Sequence, residues 1–168
     1  MARMAEAYRK IRNTFRFLLG SLADFDPQQH SVPFEQMDSI DRWALSRLHQ
    51  VAAEVQAGYE AYSFHRIYHL VYEFCITELS SFYMDVLKDR LYCEHPDEAK
   101  RRSSQSAMYI LVKALCQLLS PIMVFTTDEV WRSFDFGPED SVHAATWDST
   151  LWQSFDENTL NVWNLVRK

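Results

Sequence analysis

The sequence predicts an all-α protein, a helix bundle of four to five long amphipathic helices. Apolar residues recur every three or four positions over long stretches, the spacing that places them on one face of an α-helix. Glycine occurs only three times in 168 residues. That is too few for the glycine-rich turns of a nucleotide-binding α/β fold, or for the many turns of an all-β fold.

The first helix is predicted to run from the amino terminus to about residue 23. It ends before Pro27, because proline cannot continue a helix and disfavours helical geometry at Asp26. Residues 25–38 contain two prolines and are predicted to form an extended connection. The predicted core-facing residues of the first helix are Met4, Tyr8, Ile11, Phe15, Leu18 and Leu22.

Two further long helices are predicted in the middle of the chain. One begins at Asp38 or Ser39, whose side chains can cap a first turn, and ends near Gly58. The next runs from about Ser63 to Leu91. Its predicted buried stripe is Phe64, Ile67, Val71, Phe74 or Cys75, Leu79, Phe82 and Val86.

A fourth long helix is predicted over residues 98–119, followed by a stop at Ser120-Pro121 and a short helix restarting near Thr127. Residues 136–149 are predicted as loop, and residues 156–168 are helical again. We therefore divide the chain into a bundle, 1–133, and an extended segment with the start of a truncated C-terminal helix, 134–168. The second part is expected to pack on the same domain.

Charge is distributed unevenly along the chain. The net charge of −6 alone argues against nucleic-acid binding. Residues 1–23, however, carry five basic side chains against one acidic, whereas residues 135–157 carry six acidic and no basic ones. No apolar run approaches the ~20 residues that span a bilayer, and the three cysteines form no paired motif. We expect a soluble, cytoplasmic protein with reduced thiols.

The basic cluster of the first helix is the first candidate site. Arg9, Arg12 and Arg16 are spaced by three and four residues and therefore share one side of the helix, together with Asn13. Guanidinium groups grip phosphate oxygens, while an amide can contact sugar or base. The pattern predicts a phosphate-binding face, with Lys10 in support. The alternative from spacing alone is an ordinary solvated helix face.

A second basic feature closes the third predicted helix. Lys88 and Arg90 lie near its C-terminus, and Tyr92 is available to stack on a base. The alternative is structural, because cations complement the dipole at a helix C-terminus and can pair with Asp85 and Asp89.

A metal site is the third candidate. His65, His69 and Glu73 are spaced by four residues on one helical stripe and could ligate a metal. A metalloprotease motif would carry glutamate beside the first histidine, and Arg66 stands there instead. No nucleophile elbow or glycine-rich phosphate loop occurs. The chain is therefore not expected to be catalytic by itself, and a helical protein-interaction module is a further alternative.

Five blocks follow one another along the chain: "YRKIRNTFRFLLGSLADFDP" (8–27), "MDSIDRWALSRL" (37–48), "FYMDVLKDRLY" (82–92), "LLSPIMVFTTDEVW" (118–131) and "SVHAATW" (141–147). Together they resemble the anticodon-binding helical domain of bacterial-type isoleucyl-tRNA synthetases, which are class I aminoacyl-tRNA synthetases. Related blocks recur in valyl and leucyl enzymes, which remain alternatives. The string "IRNTFRFLLG" favours the isoleucyl family.

The resemblance implies a bundle that docks along the anticodon stem of an isoleucine tRNA. It also implies a parent ligase that uses ATP with Mg²⁺ and a zinc module near its C-terminus. The ATP motifs, the editing domain and that zinc module are absent from these 168 residues. We therefore expect a fragment that is inactive alone, without a cofactor, and that partners the catalytic and C-terminal domains of its parent. The residues assigned to tRNA contact are Arg9, Lys10, Arg12, Asn13, Arg16, Lys88, Arg90 and Tyr92.

Overall fold

A computed structural model describes residues 2–166 and confirms the all-α class, with no β-strand among the residues described. The last two residues of the predicted C-terminal helix, and the side chain of Met4, lie outside what is described. Two short 3₁₀ turns occur at Phe34–Gln36 and Ser149–Trp152. The helices are α1 (Ala2–Ser21), α2 (Pro27–His30), α3 (Ser39–Glu60), α4 (Phe64–Glu73), a π-helical segment (Phe74–Tyr83), α5 (Met84–Cys93), α6 (Ala99–Leu119), α7 (Val124–Arg132) and α8 (Glu157–Val166).

The helix starts follow local capping chemistry. The Asp38 carboxylate accepts a hydrogen bond from the backbone N–H of Ile40 at 3.3 Å, as predicted for the start of α3. The prediction that residues 25–38 are extended is wrong at α2. There Asp26 caps the turn and Pro27 occupies its first position, where the fixed φ of proline suits a helix.

The third predicted helix is continuous through α4, the π-helical segment and α5, since its junction residues keep helical backbone angles. The hydroxyls of Ser80 and Ser81 each donate to a carbonyl five residues earlier, both at 2.8 Å. A π-helix is defined by backbone hydrogen bonds of the same five-residue spacing, which make each turn wider than an α-helical turn. The directions of the side chains after the segment therefore differ from those predicted with 3.6 residues per turn.

The widened turns move the buried stripe by one position. Tyr83 and Leu87 are fully buried. The predicted Phe82 is only half-buried and Val86 is 44% exposed, so the predicted stripe is wrong beyond Leu79. A uniform period of 3.6 residues assigned the wrong residues to the core after the π-helical segment.

The core is formed mainly by α3 and α6, with α1, α4 and the π-helical segment packed around them. Trp43, Phe15 and Phe74 are among its largest fully buried side chains. Burying each such side chain stabilises the fold by about 1.5–3 kcal/mol. Two further predicted core residues, besides Phe82 and Val86, are more exposed than expected, Tyr8 at 43% and Phe64 at 48%.

The helices run between two chemically different ends of the bundle. At one end, the start of α3 and the start of α6 meet where the backbone N–H of Asp38 donates to Ser103 at 2.8 Å. We call this the polar end. At the other end, Tyr59 of α3 donates to the carbonyl of Leu118 in α6 at 2.7 Å.

Aromatic side chains dominate that second end, which we call the aromatic end. Tyr59 packs against Phe64 with ring centroids 6.0 Å apart, and Tyr62 packs against Phe64 at 6.3 Å. Tyr62 and Phe125 are 80% and 90% exposed. Tyr8, at the start of α1, shares a 3.0 Å hydrogen bond with Thr126 at the start of α7.

Residues 134–166 pack on the bundle through specific polar contacts. The Gln117 amide bridges the segment, donating to the Thr146 carbonyl and accepting from the Asp148 N–H, both at 3.1 Å. Arg42 of α3 forms a 3.0 Å ion pair with Asp156 at the start of α8. Among the described helices, none is long and apolar enough to cross a membrane.

Candidate nucleic-acid interface

The exposed face of α1 carries four of the predicted contact residues, Arg9, Arg12, Asn13 and Arg16. Arg12 pairs with Glu129 of α7 at 3.0 Å, but the two side chains are 52% and 64% exposed. A pair this exposed contributes only about 0–1 kcal/mol. The Arg12 guanidinium can therefore exchange the carboxylate for a phosphate at little cost.

A groove between α1 and the C-terminal turn of α5 joins residues from both predicted basic features. Its volume is about 760 Å³, with Asn13 and Arg16 on the α1 side and Tyr92 on the α5 side. The Tyr92 side chain is 72% exposed. We call this the α1–α5 groove. It places a cation, an amide and an exposed aromatic ring around one space, the combination that binds single-stranded nucleic acid.

A second groove lies on the other side of the exposed face of α1. Its volume is about 350 Å³, and its lining includes Arg12, Arg16 and Glu129. Asn13 and Arg16 line both grooves, so they stand on the ridge between them. A nucleic-acid backbone that ran along this ridge would have Arg12 on one side and Tyr92 on the other.

An ion-pair cluster of Asp24 with Arg101 lines the α1–α5 groove, and the sequence patterns did not predict this pairing. Arg101 donates to both carboxylate oxygens of Asp24 at 3.0 Å, and Gln105 donates to one at 2.7 Å. Burial tends to raise the pKa of Asp24, but hydrogen bonds from Gln105 and Arg101 outweigh it and lower that pKa. Asp24 thus neutralises much of Arg101 and leaves Arg16 as the more available cation of the groove.

The floor of the groove exposes backbone at Gly20. A Cβ atom at this position would meet no heavy atom within 4 Å. The glycine therefore leaves the surface open without being required by packing.

The two predicted lysines lie outside both grooves. Lys10 donates to the Tyr72 hydroxyl at 3.3 Å and pairs with Glu6 at 3.3 Å, and these hydrogen bonds raise its pKa. Lys88 pairs with Asp85 at 2.7 Å on its own helix. Both ammonium groups are thus engaged by neighbouring side chains.

Arg90 points inward rather than into the groove. Its guanidinium lies 3.3 Å from Asp38 and 4.0 Å from Asp41, and the side chain is 20% exposed. Arg90 is therefore held within the fold, as the structural alternative for this feature expected, but its partners are Asp38 and Asp41 of α3 and not Asp85 or Asp89 of its own helix.

The histidine stripe does not form a metal centre. His65 and His69 line an apolar groove of about 510 Å³, whereas Glu73 accepts from Thr77 at 3.2 Å and does not line it. Within residues 5–166, no group of three His, Cys, Asp or Glu side chains could hold an ion. The metal-binding alternative thus gains no support.

Among the described residues, the three cysteines do not form a zinc site of the kind that the resemblance implies for a parent protein. Cysteine binds zinc as the thiolate. Burial raises the pKa of Cys75 to about 12 and raises the pKa of Cys116 as well, while Cys93 is exposed elsewhere.

Comparison with known proteins adds an independent line of evidence. The sequence profile of the family described as "Anticodon-binding domain of tRNA ligase" matches residues 41–168. An isoleucine–tRNA ligase of Carboxydothermus hydrogenoformans is 52% identical over 130 residues, which cover 77% of this chain and 14% of that protein. The isoleucine–tRNA ligase of Geobacter sulfurreducens is 45% identical over 163 residues, 97% of this chain and 18% of that protein.

A further isoleucine–tRNA ligase, from Moorella thermoacetica, is 43% identical over 169 residues, 99% of this chain and 18% of that protein. The chain therefore spans between a seventh and a fifth of the length of the curated relatives it matches. Both the helical architecture and the resemblance to the isoleucyl family agree with these matches.

Proposed function

The chain belongs to the family of anticodon-binding domains of tRNA ligases, and from this we propose that it binds the anticodon stem and loop of an isoleucine tRNA. The observation that carries the proposal is the α1–α5 groove, where Asn13 and Arg16 stand opposite the exposed ring of Tyr92. The relatives named isoleucine–tRNA ligase support isoleucine rather than valine or leucine tRNA as the ligand.

Each group has a separate role in this proposal. Arg9, Arg12 and Arg16 neutralise successive phosphates, which fixes the position of the RNA but does not read its sequence. Tyr92 stacks on an unpaired loop base, since every base offers a π face. Asn13, between the two grooves, hydrogen-bonds a 2′-hydroxyl or a base edge.

The chemistry of the longer protein lies elsewhere in its chain. We propose that the parent is a cytoplasmic isoleucine–tRNA ligase that consumes ATP with Mg²⁺ and carries zinc in a separate module. The residues described here contribute RNA positioning and none of the reacting groups. Their partners are the isoleucine tRNA together with the catalytic and C-terminal domains of the same polypeptide.

The aromatic end is the surface proposed to face the remainder of that polypeptide. Tyr62 and Phe125 are large apolar side chains left 80% and 90% exposed, and they lie at the end of the bundle opposite the α1–α5 groove. Exposed apolar clusters of this kind are typical of protein contacts. The relatives are much longer than this chain, and most of each relative lies outside the matched region. The proposed partner of this surface is therefore another part of the same polypeptide.

Replacing Phe125 with aspartate tests this contact. In the 168-residue chain the change should alter the free energy of unfolding by no more than about 0.5 kcal/mol, because the side chain is exposed. In the full-length parent it should accelerate limited proteolysis between domains. Unchanged proteolysis of the parent would exclude Phe125 from a domain interface.

A tRNA titration at increasing salt tests the main proposal. The 168-residue chain should bind an isoleucine-tRNA transcript more tightly than a valine-tRNA transcript, with an affinity that falls steeply as salt rises. Replacing both Arg12 and Arg16 with alanine should weaken binding by about tenfold or more. It should also reduce the slope of log affinity against log salt by about 1.4–1.8, the contribution of two phosphates.

Arg66→Ala is the matched control. Arg66 is 68% exposed and pairs with Glu54 at 3.5 Å, and it lies on α4 outside both grooves. This variant should bind tRNA like the unmodified chain. A salt-independent affinity, or one that the Arg12 and Arg16 substitutions leave unchanged, would refute the proposed surface.

A further inference from the structure

We propose that Arg90 is a positioning residue for the RNA surface: its ion pairs with Asp38 and Asp41 orient the last turn of α5 so that Tyr92 faces the α1–α5 groove. The inference rests on the proposed function for its RNA ligand. Arg90 would then act through Tyr92, without touching RNA itself.

The anchor for Arg90 is a buried polar cluster at the polar end. Asp41 is fully buried and accepts hydrogen bonds from Tyr83 at 2.7 Å, Ser103 at 2.6 Å and Ser104 at 3.2 Å. These donors come from the π-helical segment and from the first turns of α6. Because its oxygens are held by two neighbouring elements, Asp41 presents a charge at a fixed place.

Arg90 reaches this cluster from the last turn of α5. Its Nη2 atom lies 3.3 Å from an Asp38 oxygen, and its Nη1 atom lies 4.0 Å from an Asp41 oxygen. Nη1 is buried and has no hydrogen-bond acceptor in the described part of the protein. The guanidinium is held mainly by charge, so replacing Asp38 weakens its attachment to α3 while Asp41 still compensates its charge.

Helix geometry connects this anchor to the groove. With 3.6 residues per turn, residues two apart point to nearly opposite sides of a helix. When Arg90 points towards α3, Tyr92 must therefore point away from it. Leu91 between them is buried, and α5 ends at Cys93, after which Glu94 is extended.

The last turn of a helix frays when nothing holds it. Tyr92 is 72% exposed and lies in that last turn, so packing of its own side chain does little to fix it. The Arg90 ion pairs join this turn to α3. They therefore restrict the orientation of the ring before any RNA arrives, which lowers the entropy lost on binding.

The exposed thiol of Cys93 allows this ordering to be measured directly. Cys75 and Cys116 are buried, whereas Cys93 is exposed and follows Tyr92. A nitroxide spin label should therefore attach selectively to Cys93 in the native protein. The electron paramagnetic resonance line shape then reports how mobile the last turn of α5 is.

Two variants test the proposal, each labelled at Cys93 and titrated with an isoleucine-tRNA transcript at several salt concentrations. Arg90→Met removes the anchoring charge. Asp38→Asn removes its half-buried partner but keeps the cap of α3, because asparagine caps as well as aspartate. Asp38→Asn therefore provides a folded comparison if Arg90→Met is unstable. Asp89→Asn removes an exposed carboxylate from the same helix and serves as the matched control.

Both anchor variants are expected to make the label more mobile and to weaken tRNA binding about five- to tenfold, with an unchanged salt slope. The control should change neither quantity. A salt slope reduced by about 0.7–0.9 in Arg90→Met would identify Arg90 as a direct phosphate contact and overturn the inference. An unchanged line shape in both anchor variants would also overturn it. If the unmodified chain fails to bind tRNA, the proposed function fails, while the line shape still decides whether Arg90 orders the turn.

Discussion

The free energy of unfolding of the unmodified chain is expected to fall by about 3 kcal/mol between pH 4 and pH 7 because Asp41 ionises. Replacing Asp41 with asparagine is expected to abolish this fall. Burial raises the pKa of Asp41 to about 6, although hydrogen bonds from Ser103 and Tyr83 oppose the shift. The asparagine side chain has nearly the same shape and can still accept from Tyr83. The substitution therefore removes the titration while keeping the packing.

The direction follows from the two pKa values. The folded-state pKa of about 6 is higher than the unfolded value of about 3.9. Protonation of Asp41 therefore favours the folded state, and its contribution is complete below about pH 4. The contribution is lost as the pH rises through 6, because the ionised carboxylate is costly to bury.

Urea unfolding of both proteins across this pH range measures the effect. The free energy of unfolding of the unmodified chain, minus that of Asp41→Asn, should fall as the pH rises. Asp156→Asn is the control of opposite sign, because hydrogen bonds from Thr159 lower the pKa of Asp156. For that pair the difference should stay nearly constant between about pH 5 and pH 7 and fall as the pH drops through about 4, so the control measurements extend below pH 4. A difference that does not vary with pH at Asp41 would contradict the first prediction.

Replacing Gly58 with alanine is expected to destabilise the protein by about 1–3 kcal/mol, even though alanine is the better helix former. A Cβ atom at Gly58 would lie 2.6 Å from Cγ1 and 3.2 Å from Cδ1 of Ile67. The Ile67 side chain is almost fully buried and has little room to move. Gly58 therefore permits the close approach of α3 and α4.

Gly20→Ala is the matched control, with an expected gain of up to about 1 kcal/mol. A Cβ atom at Gly20 meets nothing within 4 Å, so only the helix propensity changes. Thermal or urea unfolding of the two variants should show shifts of opposite sign. In an Ile67→Ala background the cost of Gly58→Ala should decrease. Equal effects at the two glycines would disprove the steric explanation.

Local chemistry allowed the helices and their starts to be predicted, because a capping aspartate such as Asp38 and a helix-ending proline act within a few residues. The π-helical segment could not be predicted in this way. The segment packs against α1 and α3, which are distant in sequence, and nothing in the periodicity marks it. As a direct result of the π-helical segment, Tyr83 lies in the core where the periodicity had predicted Phe82.

The candidate site was partly predictable for the same reason. The exposed face of Arg9, Arg12 and Arg16 follows from spacing within one helix. Whether a basic residue near a helix end points outward depends on distant residues. Asp38 and Asp41 are about fifty positions from Arg90 in sequence, and no local pattern shows that they meet it. The α1–α5 groove, which joins two distant segments, likewise required the fold.

The distance between the two ends of the bundle converts a small rotation at one end into a larger displacement at the other. α6 runs from the polar end to the aromatic end over 21 residues, a length of about 30 Å. Rotating this rod by roughly five degrees about the aromatic end would move the polar end by about 3 Å, nearly the spacing between stacked bases. In the proposed RNA complex, a change of angle of this size at the aromatic end would move Tyr92 by about the thickness of one stacked base.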